Sequence, residues 1–441
     1  MEPRAAKPTV RFIDEYCQYY RSLFPEVRSF EAFKYLHVGL ISDLKRKTLP
    51  AIARVVGLPN SQSLQQFLCE SPWSASLFRQ WRLQLILQIL DGREVALVID
   101  ETGDRKKGNT TDYVKRQYIG NLGKVENGLV AVSAYGLLEN ITFPLSFAVY
   151  KPKERLKPSE RYRTKPEIAA AMIETLCALG FQFNLVLADS LYGESSTTFV
   201  SILQKLELPY VLAIRSNHGV WLPQGQRVRL NRWRKYERTF SDGASETRYI
   251  REIIYGKRHL TRYWELTTDK ETLPSASTWM VMTHLDSITY KEVGDLYGLR
   301  NWVEYGLKQS KNELGWADFR ITHYVDIEKW WELVMSAYLM VALHTPPLRP
   351  KDSISPELSN APVVSKFTQH RDWDTGQGWK NWLNNLRMIL RPWTSLNTLM
   401  PWLELFPIPQ LEAGFKKLIA LMNHFQGAMV TSVVESSFSS A

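Results

Sequence analysis

The stretch Glu94–Asp100, EVALVID, decides how this chain folds. Its run of apolar residues is too short for an ordinary helix and closes on a carboxylate. A polar, glycine-containing segment follows, ETGDRKKGNTTD, so the run reads as a buried strand that leaves the core at Asp100. The same pattern returns at Phe183–Asp189, FNLVLAD. Between the two, Gly128–Leu138 and Thr142–Tyr150 are β-rich and joined by a short Glu139-Asn140 turn, which predicts an antiparallel meander of three strands. A helix is predicted over Lys165–Leu179, capped by Thr164, with Pro166 and Glu167 in its first turn and Gly180 as its stop.

After Asp189 a helix over Thr197–Leu206 and a strand over Tyr210–Ile214 complete the order βββαβαβ. That order resembles an RNase H-like α/β core. Residues 91–214 would be its first part. Residues 215–288 are rich in Arg, Trp, Tyr and Thr, with strand-like stretches at Thr247–Ile254 and Trp279–Thr283, and read as a β-rich insertion. Helical periodicity returns at Thr289–Leu314 and Ile327–Leu343, so residues 289–345 would be the second part of the core. Residues 1–90 read as a helical domain, with apolar positions three and four apart at Phe30, Phe33, Leu36 and Leu40. Inside it, two short helices flank a Gly57-Leu58-Pro59-Asn60 turn with helix-turn-helix spacing, leaving Gln62, Gln65 and Gln66 available to a DNA groove. Residues 346–428 begin with a Pro- and Ser-rich linker and continue as a Trp-rich helical segment, and 429–441 read as a loose tail.

Composition narrows the partners. The 441 residues are 44% hydrophobic and 23% charged, which excludes wholesale disorder. Fifty-five Lys and Arg against 45 Asp and Glu give +10, a surplus suited to a polyanion, with nucleic acid first. Three widely spaced cysteines, Cys17, Cys69 and Cys177, support neither a disulfide framework nor a cysteine zinc site and fit a reducing cytoplasm. The longest apolar run, Leu333–Leu343, falls short of the ~18–20 residues that a membrane span needs. The N-terminal sequence has no apolar secretory region.

The chemistry rests on carboxylates. If the two strands are neighbours in one sheet, Asp100 and Asp189 share an edge and can hold hard cations such as Mg²⁺ or Mn²⁺. The histidines show no His-x-x-x-His spacing and the cysteines no Cys-x-x-Cys, so zinc lacks ligands. A third carboxylate would come from the helix after the insertion. At about 100° per residue, Tyr297, Arg300, Glu304 and Lys311 fall on one stripe while Glu313 faces the opposite side. Singly, each element has a plainer explanation: Arg300 with Glu304 is an ordinary helical ion pair, and aspartates end many strands.

Read together, the order Asp, Asp, then Tyr-x2-Arg-x3-Glu-x6-Lys (Tyr297, Arg300, Glu304, Lys311) resembles the signature of prokaryotic insertion-sequence transposases of the DDE superfamily. Similar members carry an Asp-x-Thr-Gly-type loop after the first aspartate (here within Asp100–Gly108), Gln-Tyr-x-Gly-x-x-Gly-Lys (Gln117–Lys124) and Ala-Asp-Ser-x-Tyr-Gly (Ala188–Gly193). The resemblance covers about Ile99–Leu343. Glu101 departs from the commoner Asp-Asp start. The resemblance implies a cut-and-paste transposase in which Asp100, Asp189 and Glu304 are catalytic and hold two Mg²⁺ ions, with Mn²⁺ as a substitute. It also implies that Tyr297, Arg300 and Lys311 position phosphates of the element's terminal inverted repeats. The partners would be double-stranded element and target DNA, with a homodimer pairing two ends at the nucleoid of a bacterial cytoplasm and no membrane involved. Trp302 and Trp279 could stack on a flipped base, although burial in the core is the commoner fate of such residues.

Basic residues cluster after the first aspartate (Arg105, Lys106, Lys107, Lys115, Arg116), beside the third strand (Lys151, Lys153, Arg155, Lys157) and in the insertion (Arg227, Arg229, Arg232, Arg234, Lys235). Lys106, Lys107, Lys115 and Arg116 are the first candidates for further phosphate contact. Two other functions share these features: an RNase H-like endonuclease that cuts without joining, and a catalytically silent DNA-binding descendant of a transposase.

Overall fold

The computed structural model describes residues 4–219, 222, 224–239, 245–256, 260–349, 364–425 and 427. They form two compact units: Gly92–Asn109 with Tyr113–Gly306, and the described residues of Met1–Asp91, Thr110–Asp112 and Leu307–Ala441.

The first unit is built on one mixed sheet. Its strands are β1 (Val95–Arg105), β2 (Lys115–Ile119), β3 (Lys124–Leu138), β4 (Ile141–Val149), β5 (Phe183–Ala188), β6 (Tyr210–Ile214), β7 (Val228–Leu230), β8 (Arg234–Thr239), β9 (Ser245–Tyr255), β10 (Arg262–Thr267) and β11 (Trp279–Thr283). The order is β2-β3-β1-β5-β6-β11-β10-β9-β7, with β4 also on β3 and β8 also on β9. The meander β1, β3, β4 is antiparallel, whereas β1, β5 and β6 run parallel. This is the RNase H-like arrangement. The crossover helix Lys165–Ala178 begins in a capping box, in which Thr164 accepts from the Glu167 amide and the Glu167 side chain returns to Thr164.

Three sequence expectations change. First, β1 does not leave the core at Asp100 but continues to Arg105, because β3 is long enough to pair with it through Arg105↔Gly128. Second, β2 has no counterpart in the sequence reading: KRQYI carries adjacent charges, and its alternating burial shows only once it is laid against β3. Third, the insertion is not set apart from the core. Its last strand, β11, pairs antiparallel with the fully buried β6 and so prolongs the same sheet.

The helix expected over Thr289–Leu314 is two helices, Tyr290–Gly298 and Asn301–Asn312. Gly298 is where it breaks. Its carbonyl accepts from Arg238 Nη2 at 2.9 Å instead of serving the next helical turn. The amides of Arg300, Trp302 and Val303 reach back only three residues, to Tyr297, Leu299 and Arg300.

The second unit is helical. Val27–Ile41 and Tyr324–Ala342 are buried along most of their length. The helix-turn-helix expectation corresponds to Leu49–Val55 and Gln62–Cys69, with Gly57 at φ 72° in the turn. Leu64, Phe67 and Leu68 face inward, while Gln62, Gln65 and Gln66 are exposed. The Trp-rich segment forms Trp379–Leu405 and Pro409–Met422. Most of the expected linker, 350–363, and the expected tail, 429–441, lie outside the described residues. Among the described residues no helix is long and apolar enough to cross a membrane.

Candidate active site

Parallel pairing between β1 and β5 ends at Ile99↔Ala188, so Asp100 and Asp189 are the next residues on two neighbouring strands. At that line the strands part. Asp100 stays in the ladder with β3, opposite Ser133. Asp189 turns out to cap the short helix Ser190–Gly193, accepting from the Leu191 amide at 2.9 Å. Two carboxylates are thereby released at one opening in the sheet, the type of edge at which open α/β sheets bind ligands.

Asp100 is buried, with its Oδ1 accepting from the Glu101 amide at 2.8 Å. Burial pushes its carboxyl up to about 7; Arg300 opposes that rise, and the negative charges of Asp189 and Glu304 add to it. Arg300, in the break between the two helices, has Nη2 3.4 Å from Asp100 Oδ2 and Nη1 3.8 Å from Glu304 Oε1. Burial raises the Tyr297 hydroxyl, and Arg300 beside it works the other way. Tyr297, Arg300 and Glu304 therefore share one locality with the two aspartates, despite the interrupted helix.

The neighbouring carboxylate Glu101 has a different partner. As the next residue on the strand it points to the other face, where Lys165 Nζ meets its Oε2 at 2.5 Å. Glu313 is also accounted for, held by Lys380 at 2.6 Å and Arg387 at 2.8 Å within the helical unit. Lys311 stands two turns beyond Glu304 on the same helix and belongs to the helical unit. Lys106 and Lys107 follow the end of β1, about 20 Å of extended strand from Asp100. Lys115 and Arg116 pair with Gly128 and Asn127 at that same far end. These four form a separate basic area on the sheet and do not surround the carboxylates. Trp279 and Trp302 are half-buried, not core residues. Trp279 lies 6.3 Å from Tyr297, ring centre to ring centre.

Among the described residues no three His, Cys, Asp or Glu side chains converge closely enough to hold a metal as they stand. The donor chemistry nevertheless fits a hard divalent cation. Asp100, Asp189 and Glu304 are oxygen donors whose mutual repulsion is offset here only in part by one guanidinium. Around them, Ser133 Oγ, Tyr192 OH and Arg300 Nε are buried with no hydrogen-bond partner among the described residues. Such orphaned polar atoms mark a site built for something further. Sequence reading did not single out Ser133, and its register opposite Asp100 could be found only from the pairing.

A family model described as "DDE superfamily endonuclease" matches residues 22–247. The chain belongs to that superfamily, as one of its insertion-sequence transposases. It is 63% identical over 328 residues to "Probable transposase for insertion sequence element IS701" of Microchaete diplosiphon, a match covering 74% of this chain and 86% of that protein. A solved piggyBac transposase synaptic complex with hairpin DNA aligns with a TM-score of 0.39 at 10% identity, over 93% of this chain and 82% of that one.

Proposed function

We propose that this transposase excises its element by metal-dependent hydrolysis at the terminal inverted repeats and joins the freed 3′-hydroxyl ends to target DNA. The observation that carries this reading is the shared release of Asp100 and Asp189 at Ile99↔Ala188, with Arg300 reaching from Asp100 toward Glu304. Asp100, Asp189 and Glu304 are the groups that would hold two Mg²⁺ ions, or Mn²⁺ in their place. Ions so bound supply Lewis acidity to the attacking and departing oxygens.

The protein's own groups do the rest. Arg300, when it lets go of Asp100, presents a guanidinium to a phosphate with the fork geometry that suits it. Tyr297 holds that guanidinium in place, and Lys311 contributes charge further along the helix. Asp100, whose carboxyl is raised by burial, would have to be deprotonated to serve as a ligand. The exposed Gln62, Gln65 and Gln66 read the element ends, and two copies of the chain pair those ends at the bacterial nucleoid.

The test is a plasmid carrying the gene's flanking DNA, incubated with wild-type protein or E304A in Mg²⁺ or EDTA. Excision and joining that require both Mg²⁺ and Glu304 are expected. Cutting without joining would replace this reading with that of a nuclease, and binding without cutting with that of a regulator.

A further inference from the structure

Residues 151–165, KPKERLKPSERYRTK, hold seven Lys or Arg against two Glu, a net +5 out of the chain's +10. Half the net charge of the protein thus sits in the connection between β4 and the helix Lys165–Ala178. A charge run is ordinarily a solvated face, but this one is fixed in place by aromatic rings. Lys151 Nζ lies 4.8 Å and Lys157 Nζ 5.7 Å from the centre of the Tyr113 ring. Lys153 stands 4.7 Å over Tyr162 and Lys165 5.5 Å over Tyr150, and the hydroxyls of Tyr150 and Tyr162 are 3.1 Å apart. Such contacts orient ammonium groups; Lys151 and Lys165 are also paired with carboxylates, Glu160 and Glu101.

A second, independent feature lies beneath. Tyr113 is buried and has φ 60°, a left-handed backbone that a bulky residue adopts only under constraint. Its hydroxyl is held by Glu160, which accepts from Tyr113 OH at 2.5 Å, Lys151 Nζ at 2.6 Å and the Lys157 amide at 2.9 Å. One carboxylate thus ties the tyrosine to the start and the middle of the basic stretch. Arg161 and Arg163 flank it on the exposed side.

We propose that residues 151–165, seated on Tyr113, Tyr150 and Tyr162, form a DNA-backbone clamp separate from the catalytic carboxylates and grip the phosphates of a bound duplex without reading its sequence. This rests on the transposase reading above. Ring-supported cations spread along a fifteen-residue connection that holds a short 3-10 turn at Lys153–Arg155 suit a row of phosphates better than a single small anion. The clamp supplies affinity and register, and sequence discrimination is left to other parts of the chain.

The test measures binding of the full-length protein to a labelled duplex of the element end, and to a scrambled duplex, across a series of salt concentrations. The variants are K153Q/R161Q/R163Q and, as a charge-matched control from the helical unit, R371Q/K416Q/K417Q. Wild type should bind with a steep salt dependence. The first variant should lose affinity equally for both duplexes, and its plot of log affinity against log salt should be shallower by about 2–3, at ~0.9 per phosphate contact removed. The control should keep the wild-type slope. Y113F, which removes only the bond to Glu160, should fall between the two. An unchanged slope in the first variant, with wild type still binding, would overturn the clamp and leave the transposase reading intact. So would an equal change in the control, which would show that only total charge matters. Failure of wild type to bind the element end would overturn both.

Discussion

Arg300 and Asp100, 200 positions apart in the chain, meet at 3.4 Å, and the same guanidinium lies 3.8 Å from Glu304. A single cation thereby links the first and third carboxylates of the proposed metal site. It partly offsets the cost of placing them near Asp189, and its hold on Asp100 must loosen when a divalent ion binds. In the proposed metal site Arg300 and a divalent ion would compete for the same carboxylate.

Removing a carboxylate from this arrangement should stop the reaction without unfolding the protein. D100N and E304Q are each expected to lower single-turnover cleavage of an element end by about 10³, in line with the several kcal/mol that Lewis acidity supplies. E313Q should stay within about twofold of wild type, because Glu313 is engaged with Lys380 and Arg387. A gel time course on end-labelled duplex separates these cases.

The elevated Asp100 carboxyl, at about 7, has a thermodynamic consequence. The stability this group contributes is fully present below about pH 4, where it is protonated folded or unfolded, and is lost as pH rises through 7. A divalent ion held as proposed would reverse that loss, because it would bind the deprotonated form. Mg²⁺ should therefore raise Tm more at pH 8 than at pH 5.5. In D100N the difference between the two pH values should shrink, and a calorimetric Mg²⁺ titration at both will show whether it does.

Gly193 fixes the position of Asp189. A Cβ built there would lie 1.9 Å from the Ala213 carbonyl oxygen, so the turn capped by Asp189 touches β6 with no room for a methyl group. G193A should shift that turn, cutting the cleavage rate by an order of magnitude or more and lowering thermal stability. Replacement of the exposed Gly219, which has no neighbouring atom to meet, should leave both unchanged.

Within the helical unit, Glu332 is buried between two arginines, 2.5 Å from Arg79 Nε and 3.1 Å from Arg82 Nη2. Glu332 and Arg82 are wholly inaccessible to solvent. E332A takes the carboxylate from the buried Arg82, while Arg79 keeps Glu328 at 2.7 Å, and should cost about 3–5 kcal/mol in urea unfolding. Replacing Glu332, Arg79 and Arg82 together with apolar residues of similar size should cost much less.

His37 makes the helical unit sensitive to acid, and the buried His344, likewise held down to about 4, acts in the same direction. Burial holds the His37 imidazole down to about 4, against the pull of the Phe33 carbonyl, and its Nε2 lies 2.8 Å from Ser336 Oγ. The folded state therefore keeps His37 neutral while the unfolded chain binds a proton near pH 6.5. The stability so contributed is present above 6.5 and lost as pH falls toward 4, roughly 3 kcal/mol in all. H37Q should be less stable at pH 7.5 and should lose less on going to pH 4.5; urea midpoints at the two values provide the comparison.

The alternation of apolar runs with a trailing aspartate, the capped helix after Thr164 and the spacing Tyr297, Arg300, Glu304, Lys311 were all legible in the sequence. Each is a local matter: strand period, helix-end chemistry and residue spacing are written in consecutive residues. Sequence alone therefore determined the βββαβαβ core, the candidate carboxylates and the transposase family that they resemble. It could not show that β1 continues past Asp100, because only the long partner β3 supplies the hydrogen bonds that keep it extended. Nor could it show the helix break at Gly298, which depends on Arg238 arriving from a distant strand to take a carbonyl. The pairing of Glu101 with Lys165 and the hold of Glu160 on the Tyr113 hydroxyl are likewise products of tertiary structure. Register and long-range ion pairs come from the meeting of segments far apart in the chain, and tertiary structure alone decided which of the available charges face the site.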